Sequence, residues 1–140
     1  MAAKRPMTKR QFIEIVRKES GLKDRAYAEL ATDAVLQTLH DRLTEGQAEH
    51  IESHLPKDLQ PLMARGLTDR LVAMWRGPEK MSKREFFGRV QRRAHLEDTG
   101  RSEDLTQGVF TALKKQVPAE EVENIYSELP RDLRDLWKIA

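Results

Sequence analysis

The sequence contains no cysteine, which excludes disulfide bonds and thiolate metal ligands and favours a reducing compartment. It also lacks any apolar run near the roughly 20 residues that a transmembrane helix needs, and residues 1–11 have no apolar centre of the kind found in signal peptides. Aromatic residues make up only 6% of the chain, and the alternating Val, Ile and Thr runs typical of β-strands do not occur. We therefore expect a cytoplasmic, all-helical protein with no membrane insertion.

Charge is abundant where apolar runs are scarce. Charged residues make up 34% of the chain, against about 25% in an ordinary protein. The net charge of +2 hides an alternation: residues 1–18 carry about +5, residues 19–69 about −5, residues 70–96 about +6 and residues 97–140 about −4. The pattern favours docking of each basic segment onto an acidic neighbour, since mixed charge is normal on helical surfaces. A basic face for nucleic acid or an anionic surface is the alternative.

The same order of residues occurs twice. Leu55-Pro56-Lys57-Asp58-Leu59 returns as Leu129-Pro130-Arg131-Asp132-Leu133, and a shift of 74 positions superimposes residues 7–66 on residues 81–140 without a gap. Of these 60 pairs, 19 are identical. An internal period of this kind indicates a repeat architecture. We predict an all-α fold, a tandem duplication of a four-helix unit packed into one compact helical bundle, with residues 1–140 forming a single domain.

Apolar spacing and capping residues predict where the helices lie. The first copy should have helices over residues 8–20 and 24–43, a third helix capped by Thr44, and a fourth that starts near Pro56. Thr8 with Gln11, Thr44 with Gln47, and Ser82 with Glu85 are each placed to form a capping box. Gly108 lies within a helix of the second copy, where its small size predicts a close helix crossing. Residues 67–76 carry an apolar face and predict a helix that joins the copies.

His50 and His54 are one helical turn apart, a spacing at which two histidines can share a metal ion. Zinc peptidases place a glutamate directly after the first histidine, whereas Ile51 occupies that position here. His40 is available as a third ligand, but no spacing assures it. The matching residues of the second copy are Asn124 and Glu128. We therefore expect an exposed polar helix face and no metal site.

No set of residues in the sequence indicates catalysis. The chain has no Gly-rich phosphate loop, no nucleophile elbow and no cysteine nucleophile. Several carboxylates recur at matched positions, among them Asp58 with Asp132 and Asp24 with Asp98. Recurrence favours a structural role, because caps and helix-dipole partners are needed in each repeat. We expect no enzymatic activity and no cofactor.

A basic cluster in the second copy is the best candidate for a functional surface. Phe86 and Val90 are expected to face inward, which leaves the cations of this helix for the outside. Such a patch can neutralise several phosphates. The possible anion-binding surface consists of Lys80, Lys83, Arg84, Arg89, Arg92 and Arg93.

The pattern of apolar positions is similar to that of a known bacterial family. Phe12, Val16 and Leu22, a long helix ending near Leu39, and the closing Leu55-Pro56-x-Asp58-Leu59-x-x-Leu62 resemble the domain-of-unknown-function family 2267. The second copy, from Phe86 to Trp137, fits the same pattern. The resemblance implies a small all-helical bacterial protein with two related halves. It transfers no activity and no site residues.

These observations lead to one functional expectation and one alternative. We expect a non-enzymatic helical scaffold or protein-interaction module that binds an unknown protein partner or associates with itself. The alternative is nucleic-acid or anionic-surface binding through the basic helix at residues 80–93.

Overall fold

The computed structural model of the chain describes residues 7–63, 75, 77, 80–96 and 100–140. Within these residues every regular element is helical and there is no strand, which confirms the predicted all-α class. The elements in chain order are α1 (Lys9–Ser20), α2 (Arg25–Arg42), α3 (Glu45–Glu52), a 3₁₀ turn (Lys57–Leu59) leading into α4 (Gln60–Met63), α5 (Lys83–Arg93), α6 (Gly100–Gln116), α7 (Ala119–Glu128) and α8 (Arg131–Ile139).

The helix predicted over residues 67–76 lies outside the described residues, with the exception of Trp75. Trp75 is helical and its side chain is 90% exposed. Its exposure does not test whether the segment joins the two halves, so that part of the sequence analysis stays a prediction.

The start and end of α1 follow from local chemistry. Thr8 Oγ1 accepts from the N–H of Gln11 at 3.1 Å, and Gln11 Oε1 accepts from the N–H of Thr8 at 3.0 Å, so the predicted capping box is confirmed. The helix ends at Gly21, whose φ of 68° is in the left-handed region that favours glycine. The N–H of Leu22 then bonds to the carbonyl of Arg17 at 3.0 Å and closes the last turn.

The first turn of α5 has only half of this arrangement. Ser82 Oγ accepts from the N–H of Glu85 at 3.2 Å, as predicted. The Glu85 carboxylate does not return to the Ser82 backbone; it accepts from the Ser82 hydroxyl at 3.3 Å. A serine hydroxyl can donate as well as accept, and the carboxylate takes that donor. The prediction of a full box here was therefore wrong in its second bond.

Prolines start three of the later helices from the N-cap position. Pro56, Pro118 and Pro130 have ψ angles of 143°, 150° and 146°, so each lies one residue before the first turn rather than inside it. The carbonyl of Pro56 accepts from the N–H of Leu59 at 2.8 Å, and that of Pro130 from the N–H of Leu133 at 2.9 Å. The Leu-Pro-x-Asp-Leu stretch is a helix-starting junction at both places.

The helices pack crosswise between the two halves of the chain. Helix α1 makes its most extensive contact with α6 and a smaller one with α2, whereas α5 packs on α2 and less extensively on α6. Helices α2 and α6 also contact each other, α8 packs on α6, α4 packs on α2, and α3 contacts α7. Helix α1, in the first half of the sequence, therefore packs mainly on the second half. Helix α5, in the second half, packs mainly on the first.

One cluster of buried apolar side chains runs through both halves. It includes Phe12 of α1, Leu36 of α2, Phe86 of α5 and Phe110 of α6, all at most 1% exposed. Phe110 meets Trp137 of α8 edge to face with ring centroids 5.5 Å apart, an arrangement that aromatic rings favour. The cluster joins the described halves through a common core.

Helices α1 and α6 approach each other closely at Gly108. A Cβ at Gly108 would lie 3.2 Å from the carbonyl oxygen of Val16 and would collide with Ser20 Oγ, both on α1. Ser20 Oγ in turn donates to the carbonyl of Asp104 at 3.3 Å. The close crossing predicted at this glycine is confirmed.

We expect Gly108→Ala to lower the melting temperature. Alanine is better than glycine by about 1 kcal/mol in a helix interior, but overpacking a buried site costs about 1–3 kcal/mol. Here the new methyl group must displace the Ser20 hydroxyl and press on the Val16 carbonyl. Gly88→Ala is the matched control, because the nearest atom to its Cβ would be Arg92 Nη1 at 3.8 Å. Thermal unfolding followed by circular dichroism should show the control variant stabilised and Gly108→Ala destabilised.

The same measurement in a Ser20→Ala background tests the cause. Removing the hydroxyl removes the closest contact, so Gly108→Ala should cost less there than in the parent protein, and the difference is the coupling between the two sites. An equal cost in both backgrounds would contradict this account of the crossing.

Candidate functional site

The predicted anion-binding cluster is split by the fold. Arg93 Nη2 lies 2.7 Å from Asp41 Oδ2, Arg89 Nη1 lies 3.2 Å from the same oxygen, and Arg93 Nη1 donates to Thr38 Oγ1 at 3.0 Å. Asp41 and Thr38 belong to α2, so this face of α5 is docked on that helix. The charge alternation along the sequence predicts docking of this kind.

The remaining cations of the cluster face solvent to different extents. Lys80, Arg84 and Arg92 are exposed, and Lys83 is partly buried with its Nζ 6.0 Å from the ring centre of Phe87. The structure thus separates the six predicted residues into a docked pair, Arg89 and Arg93, and a more exposed set.

A different surface combines charge with an apolar floor. A groove of about 640 Å³ lies where the start of α1 meets the end of α6. Met7 and Ile15 contribute apolar surface, and both pack partly against the core. The cationic side chains that line the groove are Arg10, Lys18, Arg25 and Lys115.

The one carboxylate that lines this groove is already engaged. The carboxylate belongs to Glu14. Arg17 Nε donates to its Oε1 at 3.1 Å and to its Oε2 at 3.0 Å, and Arg17 Nη2 donates to Oε1 at 2.6 Å. Hydrogen bonding to Arg17 holds the pKa of Glu14 below its ordinary value. Glu14 therefore stays ionised but is paired with Arg17, and the exposed side chains of Arg10, Lys18 and Arg25 add positive charge around the groove.

The contact between Met7 and Gln116 beside this groove has a counterpart 74 positions further along the chain. The N–H of Met7 donates to Gln116 Oε1 at 2.8 Å, and the matched residues are in contact too, because Arg42 Nε donates to the carbonyl of Met81 at 3.3 Å. The shift also carries Ile15 to Arg89, and Asp41 to Lys115. Where one half has the ion pair between Arg89 and Asp41, the other has an open apolar floor beside a lysine.

The sequence alone did not predict this groove. Its apolar and basic residues come from both ends of the described chain, and no local motif joins them. A signal was nevertheless present, because Ile15 and Lys115 are positions at which the two sequence copies differ in chemical type.

His50 lies on α3, which contacts α7, and His54 lies in the turn directly after α3. His50 Nδ1 is 2.7 Å from Glu128 Oε2, and His50 Nε2 is 2.8 Å from Glu121 Oε2. His40 is elsewhere, with its Nε2 3.3 Å from Glu45 Oε1. The expected exposed polar face was wrong for His50 and His54, since both are partly buried against the facing helix.

The environments of the two histidines differ. The hydrogen bond to Glu128 raises the pKa of His50, with Glu121 acting in the same direction and burial against it. Burial lowers the pKa of His54, and the neighbouring charge of His50 adds to that. Hydrogen bonding to His50 lowers the pKa of Glu121. The cluster is an interacting group in which the carboxylates favour positive charge at His50.

These features define an all-helical protein whose halves pack crosswise and which carries a cationic groove at one junction. The model of the family described as "Uncharacterized conserved protein (DUF2267)" matches residues 9–136, so the chain belongs to that family. The resemblance indicated by the sequence is thereby confirmed. No curated protein matches the chain. Among the described residues, no helix is long and apolar enough to cross a membrane.

We expect the ion pairs between α5 and α2 to matter for stability, in contrast to the exposed cations. Arg93→Ala removes one partner from Asp41, whose side chain is only 17% exposed. It should lower the free energy of unfolding by about 1 kcal/mol. Arg92→Ala, one residue along the same helix and exposed, is the control and should change stability by less than about 0.5 kcal/mol. Urea unfolding of both variants checks this, and equal losses would mean that Asp41 does not hold the helix.

Proposed function

We propose that the protein is a non-enzymatic interaction module whose groove between α1 and the end of α6 binds an acidic, amphipathic helical segment of a partner protein. The observation that carries the proposal is the apolar floor of Met7 and Ile15 beside the exposed cationic side chains of Arg10, Lys18 and Arg25. A helical segment with carboxylates beside an apolar stripe complements both features.

The apolar floor would supply affinity. Met7 and Ile15 are partly buried and rest on the core, so their positions are fixed before a partner arrives. Burying their remaining apolar surface would contribute about 25 cal/mol per Å². The groove volume of about 640 Å³ is within the range of about 300–1,000 Å³ typical of ligand pockets. Docking of a helix face into such a groove is a recurring mode of peptide recognition.

The cationic rim would supply selectivity and rate. Complementary charge steers the encounter of two proteins and suppresses wrong partners more than it adds affinity. Arg10, Lys18 and Arg25 are exposed and surround the floor, while Glu14 is neutralised by Arg17. An acidic segment therefore meets net positive charge, and a basic segment is repelled.

Nucleic-acid or anionic-surface binding through Lys80, Arg84 and Arg92 is the alternative. Neutralising phosphates requires several cations but has no use for an apolar floor. Two of the six residues in the predicted cluster are already engaged with Asp41. These contacts favour the groove over the basic helix.

We also propose that the chain is a tandem duplication of a four-helix unit, with copies at residues 7–66 and 81–140. The helix boundaries support this: a shift of 74 residues carries the first residue of α1, Lys9, to the first residue of α5, Lys83. It likewise carries the first residue of α3, Glu45, to that of α7, Ala119. In this proposal a shared ancestral scaffold left individual surface positions free to diverge.

A labelled synthetic helix with leucines on one face and glutamates elsewhere tests the groove. We expect it to bind the protein, with a scrambled peptide of equal composition binding more weakly because its apolar residues are dispersed. The double variant Arg10→Glu with Lys18→Glu should lower affinity by about tenfold, or about 1.4 kcal/mol. The matched control is Arg84→Glu with Arg92→Glu, since these residues lie 74 positions further along and are also exposed. Fluorescence anisotropy at low and moderate salt measures both.

The same variants separate the two functions. Loss of peptide binding in the first double variant alone supports the groove. Binding of single-stranded DNA at low salt, lost only in the second double variant, would support the alternative and contradict our proposal. Ile15→Ala should weaken peptide binding at both salt concentrations, because an apolar contact is not screened. Sedimentation of the free protein tests whether a second copy occupies the groove instead.

A further inference from the structure

We propose that His50 of α3, His54 in the turn that follows it, and Glu121 of α7 bind one divalent transition-metal ion of the Zn²⁺ class, with Glu128 orienting His50. One candidate ligand atom from each of the three residues lies within 4.8 Å of the other two. None of these residues lines the cationic groove, so this site is separate from the proposed partner site.

The distances are close to those that a metal requires. Zinc binds histidine nitrogen and carboxylate oxygen at about 2.0–2.2 Å, which places tetrahedral ligand atoms roughly 3.3–3.6 Å apart. His50 Nε2 and Glu121 Oε2 are 2.8 Å apart, joined now by a hydrogen bond, and would separate slightly to admit an ion. His54, whose ring centroid is 5.4 Å from that of His50, would turn inward.

The ligand types match the metal. His54 follows His50 by four residues, and a carboxylate from the facing helix α7 completes a His₂Glu set of the kind that zinc uses. Three protein ligands leave a fourth position for water. Imidazole nitrogen also favours zinc, copper, nickel or cobalt over Mg²⁺ and Ca²⁺, which prefer oxygen ligands.

Glu128 supplies the interaction that metal-binding histidines usually have. Its Oε2 lies 2.7 Å from His50 Nδ1, so His50 donates that N–H to the carboxylate and directs Nε2 toward Glu121 and His54. A carboxylate behind a ligating histidine fixes the ring orientation and raises its basicity. On binding, the metal replaces the proton on His50 Nε2, which is released to solvent.

Charge around the site is compatible with a dication. The charged and titratable groups of the cluster are Glu121, Glu128, His50 and His54, with Asn124 contributing a hydrogen bond to Glu121. With both histidines neutral, the two carboxylates balance the charge of one divalent ion. The side chains of His50 and Glu121 are 27% and 30% exposed, so an ion can enter from solvent.

The ligands occupy positions at which the two sequence copies differ. The shift of 74 residues pairs His50 with Asn124, His54 with Glu128, and Gln47 with Glu121. A role common to both copies therefore does not account for these residues. The sequence alone suggested no site because Glu121 lies 71 residues from His50 and no spacing rule connects them.

Isothermal titration of the tag-free protein with Zn²⁺ tests the inference. We expect one ion per chain, together with a rise in melting temperature of about 5–10 °C at a hundredfold excess over Kd. Chelation should reverse the rise. Co²⁺ should give the visible absorption bands of a tetrahedral centre, and Mg²⁺ should give no effect.

Variants identify the ligands. His54→Gln and Glu121→Gln should each abolish the stoichiometric binding, and Glu128→Gln should weaken it by about 10–100-fold without abolishing it. His95→Asn is the control, because His95 is exposed and has a left-handed φ of 55° that asparagine tolerates. The circular dichroism of each variant checks that it is folded.

Two results would overturn the proposal. One is no Zn²⁺ binding by the folded parent protein at about 0.1 mM free metal, equivalent to a free energy weaker than about −5.5 kcal/mol. The other is binding that survives in folded His54→Gln and Glu121→Gln, which would place the metal elsewhere. In the first case His50 bridges the two carboxylates as a protonated side chain and nothing more.

Discussion

The crosswise packing of α1 on α6 and of α5 on α2 is the constraint on which the rest of the structure depends. Each of these amphipathic helices buries its apolar face largely against the opposite half of the chain, so neither half can complete its core alone. Gly108 permits the close approach of α6 to α1, because a side chain there would collide with α1. A side chain on this interface therefore affects both halves at once.

The α5–α2 and α1–α6 contacts involve helices at matched places in the two halves, but the side chains at these contacts differ in chemical type. Between α5 and α2, Arg89 and Arg93 converge on Asp41 and close the surface with ion pairs. Between α1 and α6, the matched positions hold Ile15 and Lys115, and a groove remains. Similar helix geometry thus gives a sealed junction in one place and an apolar, cationic surface in the other. Different residues at a few matched positions account for this difference.

The sequence predicted what depends on local interactions. The ends of α1 follow from Thr8, Gln11 and Gly21, whose effects reach only three or four residues, and the spacing of apolar residues revealed the inward faces. The Gly108 crossing was also predictable, since a glycine within a helix needs a packing reason. The pairing of α1 with α6 was not, because a repeat shows which residues are equivalent and not which half each helix contacts.

The candidate sites were hidden for the same reason. His50 contacts Glu121 and Glu128, which lie 71 and 78 residues further along the chain. Only these contacts make it a candidate site residue. The basic helix, by contrast, was visible as a run of charge, yet the fold directs Arg89 and Arg93 toward a carboxylate that no local pattern connects with them. Comparing positions 74 residues apart points to these places, because Ile15 and Lys115, like His50 and Glu121, differ in chemical type from their matched residues.

The contact between α3 and α7 is where a bound ion has most to add. Ile51 and Ile125 of these helices are buried in the core, so what they present to each other is polar: the His50 contacts with Glu121 and Glu128, and Gln47 Nε2 donating to the carbonyl of Glu128 at 2.7 Å. Partly exposed polar contacts contribute little to stability because water competes for each partner. A metal held by both helices would add its binding free energy to the stability of this contact, while the cationic groove at the α1–α6 junction keeps its own chemistry.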